Sequence, residues 1–440
     1  MNGSRRRLPA LLVGMALLVA ACGDDDDDGA ATGGGTAGDQ DLQGQQVEVA
    51  ATWSGEEQAR FSRVLERFEE ETGATVQFTS TGDDIATVLG TRLAGGSPPD
   101  VAMLPQPGLL NDLAGRNALQ PIEEVAGSLV DENYAPVWRQ LGSVDGTLFG
   151  VWFKAANKST FWYNNPVFES AGVETPETWE DLQTVAQTIS DSGVTPFSVG
   201  GADGWTLTDW FENVYLRVAG PEKYDQLATH AIPWTDPSVT EALSTLAEVF
   251  GQQQWIAGGA NGALGTDFPR SVTQVFSEPP AAAMVYEGDF VAGLITSETT
   301  ATLGEDARFF DFPAIDGSDP AVVGGGDVAV LLKDSPGGRA LVRFLATPEA
   351  AEEWASEGGF TSPNQALDLE AYADDTTRRS AEALTEAETF RFDLSDLQPA
   401  AFGGTPGQGM WKILQDFLRN TGDVNATAAA LEAARAAAGD

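Results

Sequence analysis

The stretch that decides the fold is VEVAATWSGEEQARFSRVLERFEEETGATVQFTSTGDDIATVLGTRLAGGSPPDVAML, residues 47–104. Four of its apolar residues repeat at i, i+3, i+4 and i+7, the spacing of an amphipathic helix: Phe61, Val64, Leu65 and Phe68. Three short apolar runs and a second helical stretch complete a β-α-β-α-β order: strands at 47–52, 75–79 and 100–104, and the helix at 83–93. This order predicts a parallel sheet with right-handed crossovers, which binds ligands beyond the carboxyl ends of its strands.

Polar and aromatic side chains follow each of these three strand ends. Trp53 and Glu57 follow the first strand, Thr81 and Asp83 the second, and Gln106 the third. We expect all five to contact a ligand. Two structural alternatives stay open, because the Ser-x-x-Glu that ends at Glu57 is also a capping box, and Thr81 and Asp83 also suit a turn and helix N-cap.

Composition excludes several kinds of chemistry. The 440 residues carry 24 Lys+Arg against 66 Asp+Glu, a net charge of −42, which disfavours nucleic acid and anionic small ligands. His230 is the single histidine and Cys22 the single cysteine, so zinc-histidine sites and disulfides lack their parts. We therefore expect no cofactor and no metal. Enzymatic chemistry that needs only carboxylates, such as glycoside hydrolysis, stays open.

The first 46 residues read as an export signal and a tether. Arg5, Arg6 and Arg7 precede an uncharged apolar run at residues 8–21, too short to span a bilayer, and the sequence that ends at Cys22 resembles the lipobox of bacterial lipoproteins. The sequence predicts a signal peptide at 1–21, a lipidated Cys22, and a disordered acidic and Gly-rich linker at 22–46. The mature protein would then lie outside the cytoplasm, anchored to the cell membrane.

Six segments occur in an order that is typical of one family: 61–73, 99–101, 146–166, 281–290, 324–332 and 341–354. The order resembles that of extracellular solute-binding proteins of bacterial ABC importers, in the carbohydrate-type family that includes maltose-binding protein. Residues 153–166 are similar to the family's first crossing between lobes and its Tyr-Asn turn, here Tyr163-Asn164. Residues 173–182 are similar to the Pro-x-Thr-Trp-x-x-Leu that follows it.

The resemblance implies an α/β protein with the two-lobed, type II periplasmic-binding-protein-like fold, with parallel-core sheets flanked by helices. Three hinge crossings are expected near 151–157, 284–288 and 340–347. Lobe 1 would then hold 47–152 and 288–342, and lobe 2 would hold 153–287 and 343–440. The protein would act as a monomer, without enzymatic activity, that delivers a mono- or oligosaccharide to the permease subunits of an ABC importer.

A sugar site needs charged or amide groups for hydroxyls and aromatic rings for the apolar sugar faces. Residues of this kind beside the crossings and in the second lobe complete the expected ligand set: Lys154, Asn157, Trp205, Asp209, Trp210, Glu287, Asp289, Phe290, Asp327 and Trp411. Each has a structural alternative, since large aromatics usually form core and Lys154 can pair with acidic neighbours. Two other functions stay open: a cell-surface glycosidase that uses a carboxylate pair such as Glu287 and Asp289, and a receptor for a non-sugar solute such as a polyamine.

Overall fold

The computed structural model describes residues 42–439, apart from the side chains of residues 385 and 386. The strands are β1 (Gln46–Ala51), β2 (Thr75–Ser80), β3 (Val101–Leu104), β4 (Ser143–Val144), β5 (Thr147–Leu148), β6 (Gly150–Asn157), β7 (Thr160–Asn164), β8 (Phe197–Ser198), β9 (Met284–Glu287), β10 (Ala307–Asp311), β11 (Val322–Leu331) and β12 (Phe390–Phe392). The expected signal peptide and Cys22 lie outside the described residues. The expected linker is wrong for its last part, because Leu42 is buried and Gln46 begins β1.

The helices alternate with these strands. They are α1 (Gly55–Thr72), α2 (Ile85–Ala94), α3 (Pro107–Gly115), α4 (Glu123–Asn133), α5 (Pro136–Leu141), α6 (Asn165–Ala171), α7 (Trp179–Asp191), α8 (Trp205–Ala228), α9 (Pro237–Phe250), α10 (Gly259–Ala263), α11 (Phe268–Phe276), α12 (Val291–Glu298), α13 (Pro336–Leu345), α14 (Pro348–Ala355), α15 (Asp375–Glu386), α16 (Ala400–Gly403), α17 (Gly409–Arg419) and α18 (Val424–Ala438). Within residues 42–439, no helix is both long enough and apolar enough to cross a bilayer.

Two sheets organise the chain. The first has the order β12-β11-β3-β1-β2, with β6 paired to β11, and its β1, β2 and β3 are parallel as the sequence predicts. The second has the order β10-β7-β9-β8. Its pairs β10–β7 and β7–β9 are antiparallel and only β8–β9 is parallel, so the expectation of a parallel core is wrong for this sheet. Short apolar strands such as these do not reveal their partners in the sequence.

The chain crosses between the sheets at three places that lie side by side. It crosses after β6 at 158–159, between β10 and β11 at 312–321, and after β12 at 393–399. Backbone hydrogen bonds join the crossings: the Lys158 N–H donates to Val323, the Phe312 N–H to Ser159 and the Asp393 N–H to Gly324. The first expected crossing, 151–157, ends directly before the observed one.

The other two expected crossings are wrong. Residues 284–287 form β9, which stays in the second sheet beside β7, and the next strand, β10, is in the same sheet. Residues 340–345 belong to α13 and residues 346–347 join it to α14, and both helices pack into the first core. The expected lobe division therefore differs from the packing: α12 and β10 belong with the second sheet, whereas α14 and β12 belong with the first.

Candidate functional site

Two lysines stand at the first crossing, and each is the centre of a group of charged and aromatic side chains. Lys154 lies on β6 directly opposite Asp327 of β11. Three glycines of β11, Gly324 to Gly326, pair with the end of β6, and a Cβ there would come within 2.8 Å of Lys158 and 2.4 Å of the Lys154 carbonyl oxygen. The glycines are thus part of a strand, rather than a turn, and they leave room for the two lysines.

The Lys154 cluster, defined as Trp53, Glu57, Lys154, Phe290, Asp327 and Trp354, brings five distant parts of the chain together. Lys154 Nζ donates to Glu57 Oε1 at 2.5 Å and lies 5.0 to 5.8 Å from the ring centres of Trp53, Trp354 and Phe290. Ser54 makes no side-chain cap on α1, so Glu57 pairs with Lys154 instead of completing a capping box.

Electrostatics keep Lys154 charged. Burial acts to lower the pKa of its ammonium, but the carboxylates of Glu57 and Asp327 outweigh this and raise it. Burial raises the pKa of Asp327 to about 7, although the positive charge of Lys154 acts in the opposite direction. The Lys154 cluster is therefore a set of aromatic rings around one ammonium group that is paired with a carboxylate.

The acidic hub, defined as Lys158, Asp209, Glu212, Glu287, Asp393 and Asp396, joins both sheets. Lys158 Nζ contacts Asp393 Oδ2 at 2.5 Å, Asp209 Oδ1 at 3.2 Å and Asp396 Oδ2 at 3.9 Å. It also lies 5.6 Å from the Trp205 ring centre. Because Asp393 follows β12 and Asp209 belongs to α8, this single ammonium links the third crossing to the second core.

Asp209 and Glu287 form a carboxyl pair inside the hub. Both are at least 98% buried, and Asp209 Oδ2 and both Glu287 carboxyl oxygens have no N–H donor among the described residues. Burial raises the pKa of Asp209 to about 8, and burial followed by the negative charge of Asp209 raises that of Glu287 well above its ordinary value. The pair therefore holds a proton at neutral pH, and that proton is shared in a hydrogen bond between the two carboxyl groups.

The remaining hub carboxylates have structural partners. Glu212 accepts the backbone N–H groups of Leu394 and Ser395 at 2.6 and 2.9 Å. Asp393 Oδ1 accepts the backbone N–H groups of Ser395 and Asp396, both at 3.1 Å. These bonds fix the conformation of the third crossing and orient its carboxylates towards Lys158.

Asp209, Glu212 and Asp393 also form a group of carboxylates close enough together to hold a metal ion. Lys158 bonds two of the three, so the protein's own ammonium supplies the positive charge that such a group needs. The donor set therefore fits an internal ion pair better than a metal.

Gln106 and Trp411 border the hub with unpaired polar atoms. Gln106 is 95% buried, its Oε1 has no donor among the described residues, and its side chain packs against Gly404, where a Cβ would clash. Trp411 packs on Gly204, the residue before Trp205, and its indole N–H likewise has no partner among the described residues. Trp205 in turn meets Phe290 with the ring centres 6.1 Å apart, which connects the hub to the Lys154 cluster.

Four expected ligand residues have structural partners. Asn157 accepts the Ser159 N–H at 3.0 Å. Asp289 accepts the hydroxyls of Thr361 and Ser380 at 2.7 and 3.3 Å. Trp210 is 99% buried among the rings of the second core, and its role as a ligand residue stays a prediction.

The fourth, Thr81, donates its hydroxyl to Ala51 at 3.1 Å. Its neighbour Asp83 is exposed, and its carboxylate is close enough to Asp203, which precedes α8, for the two negative charges to interact. Asp83 therefore stands where the first sheet's strand ends face the second core, apart from both lysine clusters.

Sequence reasoning missed five members of the clusters. Lys158 had a signal, because lysine occurs only five times and two of the five stand at this crossing. Glu212 is one turn from Asp209 on α8, so helix periodicity offered a weak signal. Asp393, Asp396 and Trp354 had none, because they reach the site only through the pairing of β12 with β11 and the packing of α14 on the first core.

This chain is an α/β protein with two main sheets, and aromatic and charged side chains lie together at its three crossings. This is the architecture of a two-lobed solute receptor. The model of the bacterial extracellular solute-binding protein family matches residues 52–352. The chain is 37% identical over 381 residues to the osmoprotective compounds-binding protein GgtB of Synechocystis sp., an alignment that covers 85% of this chain and 89% of that protein. The chain belongs to this family.

Two further comparisons agree. The chain is 34% identical over 403 residues to the alpha-glucosides-binding periplasmic protein AglE of Rhizobium meliloti, covering 88% of this chain and 86% of that one. Among solved structures, the bacterial solute receptor AcbH, described as preferring β-D-galactopyranose, superposes with a TM-score of 0.77 at 20% identity and covers 90% of this chain and 98% of its own. The similarity to AcbH concerns the fold alone.

Proposed function

We propose that this chain is the substrate-binding receptor of an ABC importer for carbohydrates, and that it captures a mono- or oligosaccharide where the Lys154 cluster meets the acidic hub. The observation that carries the proposal is the alternation of rings and hydrogen-bonding groups there. Trp53, Phe290 and Trp205 can stack on the apolar faces of a sugar, while Asp209 and Glu287 can bind its hydroxyls. The name of AglE, which refers to alpha-glucosides, supports the same class of ligand.

Capture proceeds by closure of two lobes about the three adjacent crossings, followed by docking on the permease and release. The receptor works as a monomer and forms no covalent bond with its ligand. Membrane attachment through a lipid on Cys22 would keep it beside the permease. This attachment is supported by the arginines and the apolar run that precede Cys22.

The glycosidase alternative has no support from the expected carboxylate pair. Glu287 is paired with Asp209, whereas Asp289 accepts the hydroxyls of Thr361 and Ser380. A glycosidase needs two carboxyl groups that flank one bond, about 5 to 10 Å apart. Glu287 and Asp289 instead interact with different residues.

The test is a thermal-unfolding screen of the purified protein against neutral mono- and oligosaccharides and polyamines. A ligand present at a hundredfold excess over its Kd stabilises the folded state by about 2.7 kcal/mol, which a melting curve detects easily. We expect one class of sugar to raise the melting temperature, and the sugar to be recovered unchanged after incubation. A shift with polyamines alone, or hydrolysis of the sugar, would contradict the proposal.

A further inference from the structure

Helix α8 contacts all three crossings through one face. Asp209, Asn213 and Arg217 follow one another at intervals of four residues, so they lie on the same side of the helix. All three are at least 94% buried. Asp209 contacts Lys158 of the first crossing, and Glu212, one turn further along, accepts two backbone N–H groups of the third. Asn213 and Arg217 hold the first and second crossings.

Asn213 is bonded to the backbone of the first crossing. Its Nδ2 donates to the Lys158 carbonyl oxygen at 2.9 Å and to the Tyr286 hydroxyl at 2.5 Å, and its Oδ1 accepts the Ser159 hydroxyl at 2.6 Å. The Ser159 oxygen in turn accepts the N–H of Val323 on β11 at 2.9 Å. A buried polar network in which every member is satisfied is rigid, so this crossing is fixed to α8.

Arg217 is bonded to both ends of the second crossing. Its guanidinium donates to the carbonyl oxygen of Ala321, the last residue of the crossing, and lies 5.3 Å from the ring centre of Phe312, the first. Between these ends, the Ala314 N–H donates to the Glu177 carbonyl oxygen at 3.0 Å, just before α7. The second crossing is therefore attached to the second core at both ends and in its middle.

The β6–β11 ribbon, on the first-core side of the crossings, is built differently. Gly325 and Gly326 of β11 face Ala156 and Ala155 of β6, and the register of the two strands shifts directly after Asp327. Glycines weaken a strand because they offer no side chain to pack, and an irregular register bends and twists it. This part of the ribbon is therefore easier to bend than the crossings beside it.

From these observations we infer that Asn213 and Arg217 are positioning residues that fix the crossings to α8, and that the lobes close by bending of the β6–β11 ribbon at Gly325 and Gly326. Lys158 then moves with the second core, whereas Lys154 moves with the first. The inference goes beyond the proposed function, because it states which part of the chain moves and holds for any ligand.

Distances between spin labels test which body the crossings belong to. The labels are attached in pairs through Glu66→Cys on α1, Gln187→Cys on α7 and Asp319→Cys in the second crossing, all at exposed positions. The full chain carries Cys22→Ala, which removes its single native cysteine. Double electron–electron resonance on the protein without ligand gives the distribution of each distance, so the result does not depend on the substrate.

The distance between positions 319 and 187 should have a narrow distribution, because both positions are fixed to the second core. The distance between 319 and 66 should have a distribution at least twice as broad, and as broad as that between 66 and 187, because both pairs span the bend. Three distributions of equal width, or one between 319 and 187 as broad as that between 66 and 187, would overturn the inference.

Arg217→Met tests the named positioning residue. It should at least double the width of the distribution between positions 319 and 187, because both ends of the second crossing lose their contact. Arg60→Met is the matched control, since Arg60 is equally buried and donates to the Gly358 carbonyl oxygen, but within the first core. Equal widths in the two variants would contradict the role of Arg217. The three distributions without a change at 217 decide the question if Arg217→Met does not fold.

Gly325→Ala tests the place of the bend. The added Cβ lies 2.8 Å from Lys158 Cε, at the end of a flexible side chain that can shift, while the backbone becomes stiffer. The distribution between positions 66 and 187 should become narrower by at least a third. Gly90→Ala, where a Cβ meets nothing within 4 Å, should leave it unchanged. An unchanged width in Gly325→Ala would place the bend elsewhere and overturn this part of the inference.

Discussion

At the scale of single residues, the site depends on how a few buried charges are balanced. Lys158 lies among carboxylates that come from α8, from β9 and from the segment after β12. Removing one partner of a buried ion pair leaves the other charge uncompensated, which is more costly than never having had the pair. Lys158 is therefore important for stability.

Replacing Lys158 by Met should destabilise the protein by about 3 to 5 kcal/mol, because Asp209 and Asp393 would be left buried without their cation. Urea unfolding followed by circular dichroism measures this loss. Lys412→Met is the matched control, since Lys412 pairs with Asp416 on an exposed face of α17 and its loss should cost less than about 1 kcal/mol. Equal losses for the two variants would contradict the role given to Lys158.

The raised pKa of Asp209 in the carboxyl pair predicts how the free energy of unfolding depends on pH. The native pKa of Asp209 is about 8, whereas an unfolded aspartate has a pKa of about 3.9, so folding takes up a proton between these values. The contribution of Asp209 to the free energy of unfolding is then fully present below about pH 4. It is lost as the pH rises towards 8, by up to about 1.4 kcal/mol per pH unit. The lowered pKa of Asp393 acts in the opposite direction, but only in acid.

Urea unfolding at pH 5.5, 6.5, 7.5 and 8.5 should therefore show a free energy of unfolding that decreases with pH. Asp209→Asn removes this titration and should make the profile less steep, because burial also raises the pKa values of Glu287, Glu212 and Asp396, which stay in place, while Asp416→Asn on the surface should leave it unchanged. A native protein whose stability is level or rises over this range would show that the pair does not hold a proton.

At the scale of secondary-structure elements, helix α12 connects the second sheet to the first core. Its Gly293 packs against Gly359 and Arg60, so closely that a Cβ would lie 2.6 Å from Arg60 Nη1 and 3.4 Å from the Gly359 Cα. Arg60 itself donates to the Gly358 carbonyl oxygen at 2.9 Å. The glycines at 293 and 359 therefore allow α12 to pack closely against the first core.

Gly293→Val should weaken ligand binding at least tenfold without touching the ligand, because the branched side chain would separate α12 from α1 and oppose lobe closure. Calorimetric titration with the sugar found in the screen measures the effect. Gly90→Ala is the control, since a Cβ there meets nothing within 4 Å and an alanine should stabilise α2 by up to about 1 kcal/mol. Unchanged affinity in Gly293→Val would mean that this contact does not take part in closure.

At the scale of the whole molecule, the proposed lipid attachment at Cys22 predicts where the protein is found in the cell. Wild-type protein expressed from the full sequence in a bacterial host should partition into the detergent phase with the membrane fraction. Cys22→Ala should appear in the soluble extracytoplasmic fraction with the same ligand affinity, because the residues proposed to bind the ligand all lie at or after Trp53 in the sequence. Wild-type protein found entirely in the soluble fraction would contradict lipidation at Cys22.

The sequence alone determined the local elements and the class of protein. The periodicity of 47–104 predicted β1, α1, β2, α2 and β3 nearly to the residue, because each pattern records which face of a helix or strand is buried. The order of segments likewise indicated the family. The polar and aromatic residues after the first strand were found because strand ends in such sheets face the ligand.

Only the tertiary structure decided which strands pair and which residues meet. Nothing in 307–311 or 390–392 indicates that the first joins β7 and the second joins β11, yet these pairings set two of the crossings and bring Asp393 to Lys158. Trp210 and Asp209 are neighbours in sequence, but one is core and the other belongs to the hub, because adjacent helical residues differ by about 100° in direction. Long-range pairing has no local signature, so the site as a set of contacts exists only in the folded chain.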